Sequence, residues 1–343
     1  MPERRVLQRL TLTMATAASG VMVAALSIPA PAGAVTGGTP DGSQHPYVGA
    51  LVPPGGSSPT CTVSLVRGDN GVVVALTDGH CLYRNGRHNG TGALVSFAST
   101  WSSSATTYTG PWYVHPNYDP SNHTHDLAAI VLKSPPPIGY AVLAANGVTA
   151  NRPVGSTVTV VGIGQPYLGQ RRSASEVITG RSSSWLYLEA GSGNSCNNDS
   201  GGPDLLPGTN TVLALTDQGT CSYDEDTRAD TADAHWFVTT AATWPTLRPA
   251  MSLNLSSSTT QVNHNVTAYG STSPLYSGET VFRQGYYSGA WHTWAKTTIG
   301  SRGHYSFTIT PTVATTDYYR VYLPASATHP AGASRTRALT VTE

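Results

Sequence analysis

Charge is scarce in this chain. Only 11% of its 343 residues are Asp, Glu, Lys or Arg, and acids and bases balance at 19 each. That balance offers no basic face for nucleic acid and no polybasic stretch for a membrane surface, so neither partner is expected. Cysteine is scarce too, with four residues, and no Cys/His set has structural-zinc spacing. No metal and no other cofactor is expected. Strong helix formers give way to Gly, Pro, Ser and Thr, including 35 Gly and 24 Pro. Such a composition disfavours long helices and suits an all-β, turn-rich exported protein.

The first 34 residues read as a secretory leader. Arg4, Arg5 and Arg9 form the charged region, Leu10 to Ile28 the apolar region, and Ala32-Gly33-Ala34 the small-residue cleavage site. Thr11, Thr13, Thr16 and Ser19 dilute the apolar segment, which argues for cleavage over a retained anchor. The mature chain would begin at Val35 and carry 16 basic and 18 acidic residues, a net charge of −2. A secreted, extracellular protein with no membrane anchor after processing is expected. In that compartment the four cysteines read as two disulfides, for which three pairings are open. Pairing neighbours, Cys61 with Cys81 and Cys196 with Cys221, closes two short loops, each worth about 3 kcal/mol on chain-entropy grounds.

The stretch with the most chemistry is Cys196-Asn197-Asn198-Asp199-Ser200-Gly201-Gly202-Pro203. Its glycines permit a tight turn that exposes a serine hydroxyl beside backbone N–H groups. Two partners stand upstream. Leu76-Thr77-Asp78-Gly79-His80-Cys81 places a histidine at a strand end, pinned by a cysteine. His125-Asp126-Leu127-Ala128 places a carboxylate at the mouth of an apolar strand, where only a partner offsets its desolvation. Asp119, in a Tyr-Asp-Pro turn, is explained by turn chemistry alone.

The order His80, Asp126, Ser200 is that of the trypsin-like serine proteases, and the local motifs resemble that family's as well. Thr77–Cys81 resembles T-A-A-H-C, His125–Ala128 resembles N-D-I-A-L, and Asn198–Pro203 resembles G-D-S-G-G-P. Gly162-Ile163-Gly164 resembles G-W-G, and Val35-Thr36-Gly37-Gly38 resembles the mature terminus I-V-G-G. The resemblance implies two six-stranded antiparallel β-barrels over residues 35–248, with the triad between them. Strand patterns agree with it, six over residues 46–132 and six over 156–239, the last being Trp236–Thr239. It also implies Ser200 as nucleophile, His80 as base, Asp126 as its orienting partner, and the N–H groups of Asn198 and Ser200 as an oxyanion hole. Asp199 would pair with the ammonium of Val35 once the leader is cut, so export itself would generate the active terminus. Asn194, Thr216 and Gln218 would form the substrate pocket, braced by Cys196–Cys221. Protein or peptide substrates follow, hydrolysed by a monomer.

Three departures stand out. Asn198 replaces a glycine of the oxyanion loop and brings a side chain to its border. Asp78-Gly79 replaces Ala-Ala and adds a charge near the cleft. Asn194 stands where a pocket aspartate would select cationic side chains. The acidic run Asp224-Glu225-Asp226, with Asp230 and Asp233, reads as a solvated loop, or else as a pocket wall that restores cationic preference. The alternative function is a catalytically weak homologue that serves as a secreted binding module.

Residues 251–343 hold no cysteine and show seven evenly spaced strand patterns, the signal of a β-sandwich. Gly303–Phe307 and Tyr318–Val321 resemble immunoglobulin-like modules of secreted bacterial enzymes. Trp291, Trp294, Tyr286 and Tyr287 are candidates to bind an extracellular polymer or surface ligand.

Overall fold

The computed structural model describes residues 35–165 and 167–343; the leader expected over 1–34 lies outside them. The first strands are apolar along nearly their whole length. Val48–Val52 and Cys61–Arg67 are accordingly buried on both faces. Cys61–Arg67 pairs antiparallel with Val48–Val52 on one side and with Val73–Thr77 on the other. Leu94–Ser96, Ala128–Ile130 and Trp112–Val114 extend this sheet. The turn at 68–71 closes a hairpin, with the Gly68 N–H donating to Val72 O over 2.8 Å.

The second half closes on itself. Thr157–Gly162, Arg172–Arg181, Trp185–Ala190, Tyr223–Arg228, Thr211–Gly219 and Pro203–Leu205 pair in that order, and the last returns to the first. The result is a closed six-stranded barrel beside the first curved sheet, in keeping with the double-barrel plan. Ala141–Leu143 runs parallel to Cys61–Arg67 and to Thr211–Gly219, and so stitches the halves together.

Alternation inside the barrel corrects one reading. Asp224-Glu225-Asp226 is no solvated loop but the middle of the strand Tyr223–Arg228. A strand sends successive side chains to opposite faces. Asp224 and Asp226 therefore point inward at 2% and 0% exposure, and Glu225 is the outward residue between them. Glu176 and Asp204 join them from neighbouring strands. Asp230 is buried and paired with Arg228.

Trp236–Thr239 belongs to a helix, Ala232–Ala241, not to a strand. Its aromatic and β-branched residues carry strand propensity, but Ala234, Phe237, Val238 and Ala241 recur at helical spacing and are the buried ones. Thr231 caps the helix by accepting the Ala234 N–H at 3.1 Å, and Asp233 stands in the positive first turn. Phe237 packs on His115, and Trp244 on Tyr113, so the helix covers the first sheet.

Residues 250–343 form two further sheets around their own apolar cluster. One centres on Val266–Ser273 and His304–Ile309; the other runs through Arg337–Thr342, Thr316–Leu323, Thr280–Tyr287 and Ala290–Thr298. Asn263 makes a left-handed turn (φ 62°) between Thr259–Gln261 and Val266–Ser273. Thr259–Gln261 and Val266–Ser273 consequently lie in opposite sheets. These sheets dock on the first half through Tyr113 Oη donating to Thr328 O (2.5 Å) and Asn89 Nδ2 donating to Leu275 O (3.2 Å).

The helix contact makes a prediction. Phe237→Ala removes a fully buried ring and should cost about 3–4 kcal/mol in denaturant unfolding. A loss under about 1 kcal/mol would mean the helix is not part of the cooperative core.

Candidate active site

His80 follows the strand Val73–Thr77 and faces Asp126, which enters the strand Ala128–Ile130; the two strands pair directly. The His80 backbone N–H donates to Asp126 Oδ1 at 2.7 Å, and Nδ1 lies 2.8 Å from Oδ2. Backbone and ring thus fix the same carboxylate, leaving Nε2 toward the cleft. Asp126 is fully buried. Burial raises its pKa, but hydrogen bonds from His123 and His80 outweigh that and lower it to about 2.

Ser200 reaches this pair through close backbone packing. The Thr62 N–H donates to Ser200 O at 2.8 Å. Gly201 holds φ +82°, and a Cβ there would lie 2.1 Å from Thr77 Oγ1 and 2.5 Å from Thr62 O. Only glycine lets the serine turn press against the first sheet. Cys61 and Cys81 form a disulfide beneath the site, with Cys81 Sγ 3.8 Å from His80 Nε2 and 3.9 Å from Ser200 O. Ser200 Oγ donates to Asp217 O at 3.3 Å. Rotation about χ1 is what would turn it toward His80.

Asn198 adopts φ 75°, the left-handed conformation its glycine counterpart would favour. Its side chain is drawn aside, Nδ2 donating to Thr60 O at 2.9 Å. Among the described residues neither the Asn198 nor the Ser200 N–H donates a hydrogen bond.

Asp199 is buried behind the turn. It accepts N–H groups of Gly164 (2.7 Å), Cys196 (3.0 Å) and Val35 (3.1 Å). A Cβ at Gly162 would stand 2.1 Å from its Oδ1, so this glycine makes room for the carboxylate. The Val35 nitrogen is a peptide N–H here, standing where an ammonium would be after cleavage. Against that neutral partner, burial raises Asp199 to about 6.

A cavity of about 240 Å³ is lined by Ser200, Thr216, Gln218 and the disulfide-bonded Cys196 and Cys221. Asp217 and Asp224 are the acids of its lining. Asn194, expected on the floor, lies behind it and donates from Nδ2 to Asp224 Oδ2. The buried Asp224 is raised to about 6 by desolvation, against the hydrogen bonds it accepts from Ser195 and Asn194.

Asp78 corrects another expectation. It adds no charge to the cleft, being fully buried and pushed far above the usual carboxylate range by burial and by Asp126 and Asp217.

Two neighbours escaped the sequence reading. His123 Nδ1 lies 2.8 Å from Asp217 Oδ1 and 3.0 Å from Asp126 Oδ2. These bonds raise His123 to about 10, so it is cationic between two carboxyls. Asp217 Oδ1 is 3.6 Å from His80 Nδ1, and its Oδ2 accepts from Thr227 at 2.8 Å. Burial lifts Asp217 to about 7. The available signal was an acid interrupting the apolar strand Thr211–Gly219 and a histidine three residues before Asp126.

A double-barrel frame with a buried Asp–His pair facing a serine turn defines the serine peptidase class. The trypsin family matches residues 35–244, and the chain belongs to that family. The chain is similar in structure to the VesB protease of Vibrio cholerae, at 15% identity and a TM-score of 0.49, covering 89% of this chain and 99% of that one. The secreted serine protease VesC of Vibrio cholerae gives the same identity and score over 89% and 70%. Kallikrein-related peptidase 10 in complex with Zn2+ is 18% identical, with a TM-score of 0.40 over 54% and 90%. No curated protein matches. No helix among the described residues is long and apolar enough to cross a membrane.

The buried acids set a pH dependence. A carboxyl raised in the folded state stabilises the fold fully below its ordinary value of 3.8, and that contribution is lost as pH climbs to the folded value. Asp204 and Asp217 (each about 7) and Asp224 (about 6) therefore withdraw stability between pH 4 and 7. Asp126, lowered to about 2, contributes above pH 4 and is lost between pH 4 and 2. Because each raised carboxyl loses its contribution over this interval, Tm should peak near pH 4–5 and fall by pH 7.5. A Tm that rises over that interval contradicts this account.

Proposed function

We propose that this serine peptidase is a secreted endopeptidase in which Ser200, His80 and Asp126 form the catalytic triad. The observation that carries the reading is the double attachment of His80 to buried Asp126, which fixes the tautomer with its proton on Nδ1 and leaves Nε2 basic. Ser200 Oγ attacks the scissile carbonyl while His80 Nε2 accepts its proton. The imidazolium so formed is stabilised by Asp126 and then protonates the leaving amine. The carbonyl oxygen, now anionic, is met by the N–H groups of Asn198 and Ser200. Water, deprotonated by His80, releases the acyl group.

The proposal extends to the chain's organisation: residues 1–34 are a leader, 35–248 the peptidase and 251–343 an appended sandwich. Cleavage after Ala34 converts the Val35 amide to an ammonium. A buried carboxylate with a cation beside it is anionic, so Asp199 drops from its raised value and the serine turn is locked.

Asp224 supports a preference for Lys or Arg at the residue whose carbonyl is cut. It lines the cavity together with Asp217, whose carboxyl is already engaged by His123 and Thr227, and Asn194 holds Asp224 by a donated hydrogen bond. The carboxylate thus enters from the strand Tyr223–Arg228 instead of from position 194.

Three outcomes are expected. Ser200→Ala should abolish fluorophosphonate labelling and lower kcat by a factor on the order of 10⁵ or more; a correctly processed wild type that does not label would refute the triad. Asp224→Asn should lower kcat/KM on Arg and Lys substrates by about a hundredfold and spare apolar ones. In the wild type, kcat/KM for a Lys or Arg substrate should rise as pH passes about 6, where Asp224 ionises.

A further inference from the structure

The sheet containing Thr280–Tyr287, Ala290–Thr298 and Thr316–Leu323 has one face on the apolar cluster and one on solvent. The registers Gln284↔Arg320, Phe282↔Tyr322, Tyr286↔Trp291 and Phe282↔Lys296 put all of these residues on one face. Val281, Val321 and Leu323, which are buried, alternate with them and define the opposite, inner face.

Arg320 is the centre of the outer face. Its guanidinium stacks over the Trp291 ring at 4.5 Å, with the Tyr322 ring 5.9 Å away. Its Nε donates to Gln284 Oε1 at 2.8 Å, and Gln284 Nε2 in turn donates to Thr293 Oγ1. The fork is thus held on three sides, while neither Nη donates to any acceptor among the described residues. The buried arginines differ: Arg171 and Arg228 each have a carboxylate and backbone carbonyls. Among the described residues no carboxylate pairs with Arg320 or Lys296. Tyr286, 47% exposed, extends the aromatic surface edge-on to Trp291. At the other end, Phe282 lines a cavity of about 680 Å³ that also takes Arg84, Arg87 and Trp112 from the peptidase half. Its one acid, Glu279, is paired with His329 at 2.8 Å.

We infer that this face binds an acidic polysaccharide. A guanidinium immobilised by stacking, with both terminal nitrogens free, presents parallel N–H donors that match a carboxylate or sulfate. The adjoining aromatic rings offer apolar surface to sugar C–H faces, and Gln284 and Thr293 offer hydrogen bonds to hydroxyls. The unpaired cations complement a polyanion, and four strand residues, about 13 Å, separate Tyr286, opposite Trp291, from Phe282 at the cavity. The site lies outside the catalytic cleft and does not depend on the triad assignment.

The test uses the full secreted chain with alginate as the probe and dextran as the neutral control, in affinity electrophoresis and calorimetry. Alginate is expected to bind at least tenfold tighter than dextran and to weaken with added salt. Arg320→Gln should cut alginate affinity tenfold or more. Arg320→Lys, which keeps charge and packing but loses the fork, should fall between it and the wild type. Hydrolysis of a short peptide should be the same in all three, which also shows that the peptidase half is folded. Equal retention by alginate and dextran, or none, overturns the inference. So does stronger binding of polyglutamate than of alginate, which would make the face a peptide site. A wild-type dimer that Trp291→Ala dissolves would make it a self-association surface and likewise overturn the assignment.

Discussion

Asp126 is the point on which the site depends. A carboxylate removed from water at the start of an apolar strand is stable only if its lone pairs are taken up, and here three donors take them up. The His80 backbone, the His80 ring and the His123 ring converge on it. The arrangement places His80 more firmly than a single ring contact would, because backbone and side chain are held by one anion. It also explains why the two sheets must meet so closely. His123 carries the bonding onward to Asp217, and Asp217 belongs to the other barrel. The charge between the barrels is therefore one cation shared by two acids, part of what holds the cleft together.

The second constraint is the number of buried acids. Glu176, Asp204 and Asp226 fill inward positions that would ordinarily be aliphatic, and the apolar cluster of that barrel is correspondingly small. Burial pushes all three up, and mutual repulsion adds to it. A contact between Asp204 and Asp226 exists as a hydrogen bond only if one is protonated. Burial thus biases each of these carboxyls toward its protonated form, and charge scarcity in the composition conceals them.

Much of the site was legible because its signals are local. Thr77–Cys81, His125–Ala128 and Asn198–Pro203 each carry a turn, a functional side chain and a strand boundary in a few residues. His123 and Asp217 were not legible, since they lie 94 positions apart and meet only because Thr211–Gly219 passes beside the first sheet. The acidic run at 224–226 misled for a different reason. Hydropathy assigns any acid to solvent, whereas the period-two alternation that puts Asp224 and Asp226 indoors has no apolar residue to reveal it. In Trp236–Thr239, propensity and periodicity disagreed, and tertiary burial of Phe237 and Val238 decided for the helix.

These two constraints meet in the strand Tyr223–Arg228. Asp226 faces the acid-filled interior, and its Oδ1 accepts the Asp217 N–H at 3.1 Å. Asp224, two residues earlier on the same face, lines the cavity beside Ser200. A positively charged substrate side chain brought to Asp224 would favour its ionised form, and each added negative charge makes its buried neighbours harder to ionise. Asp224 and Asp226 thus share the strand Tyr223–Arg228, while Asp204 faces them from Pro203–Leu205, and a charge gained at one of these acids opposes ionisation of the others.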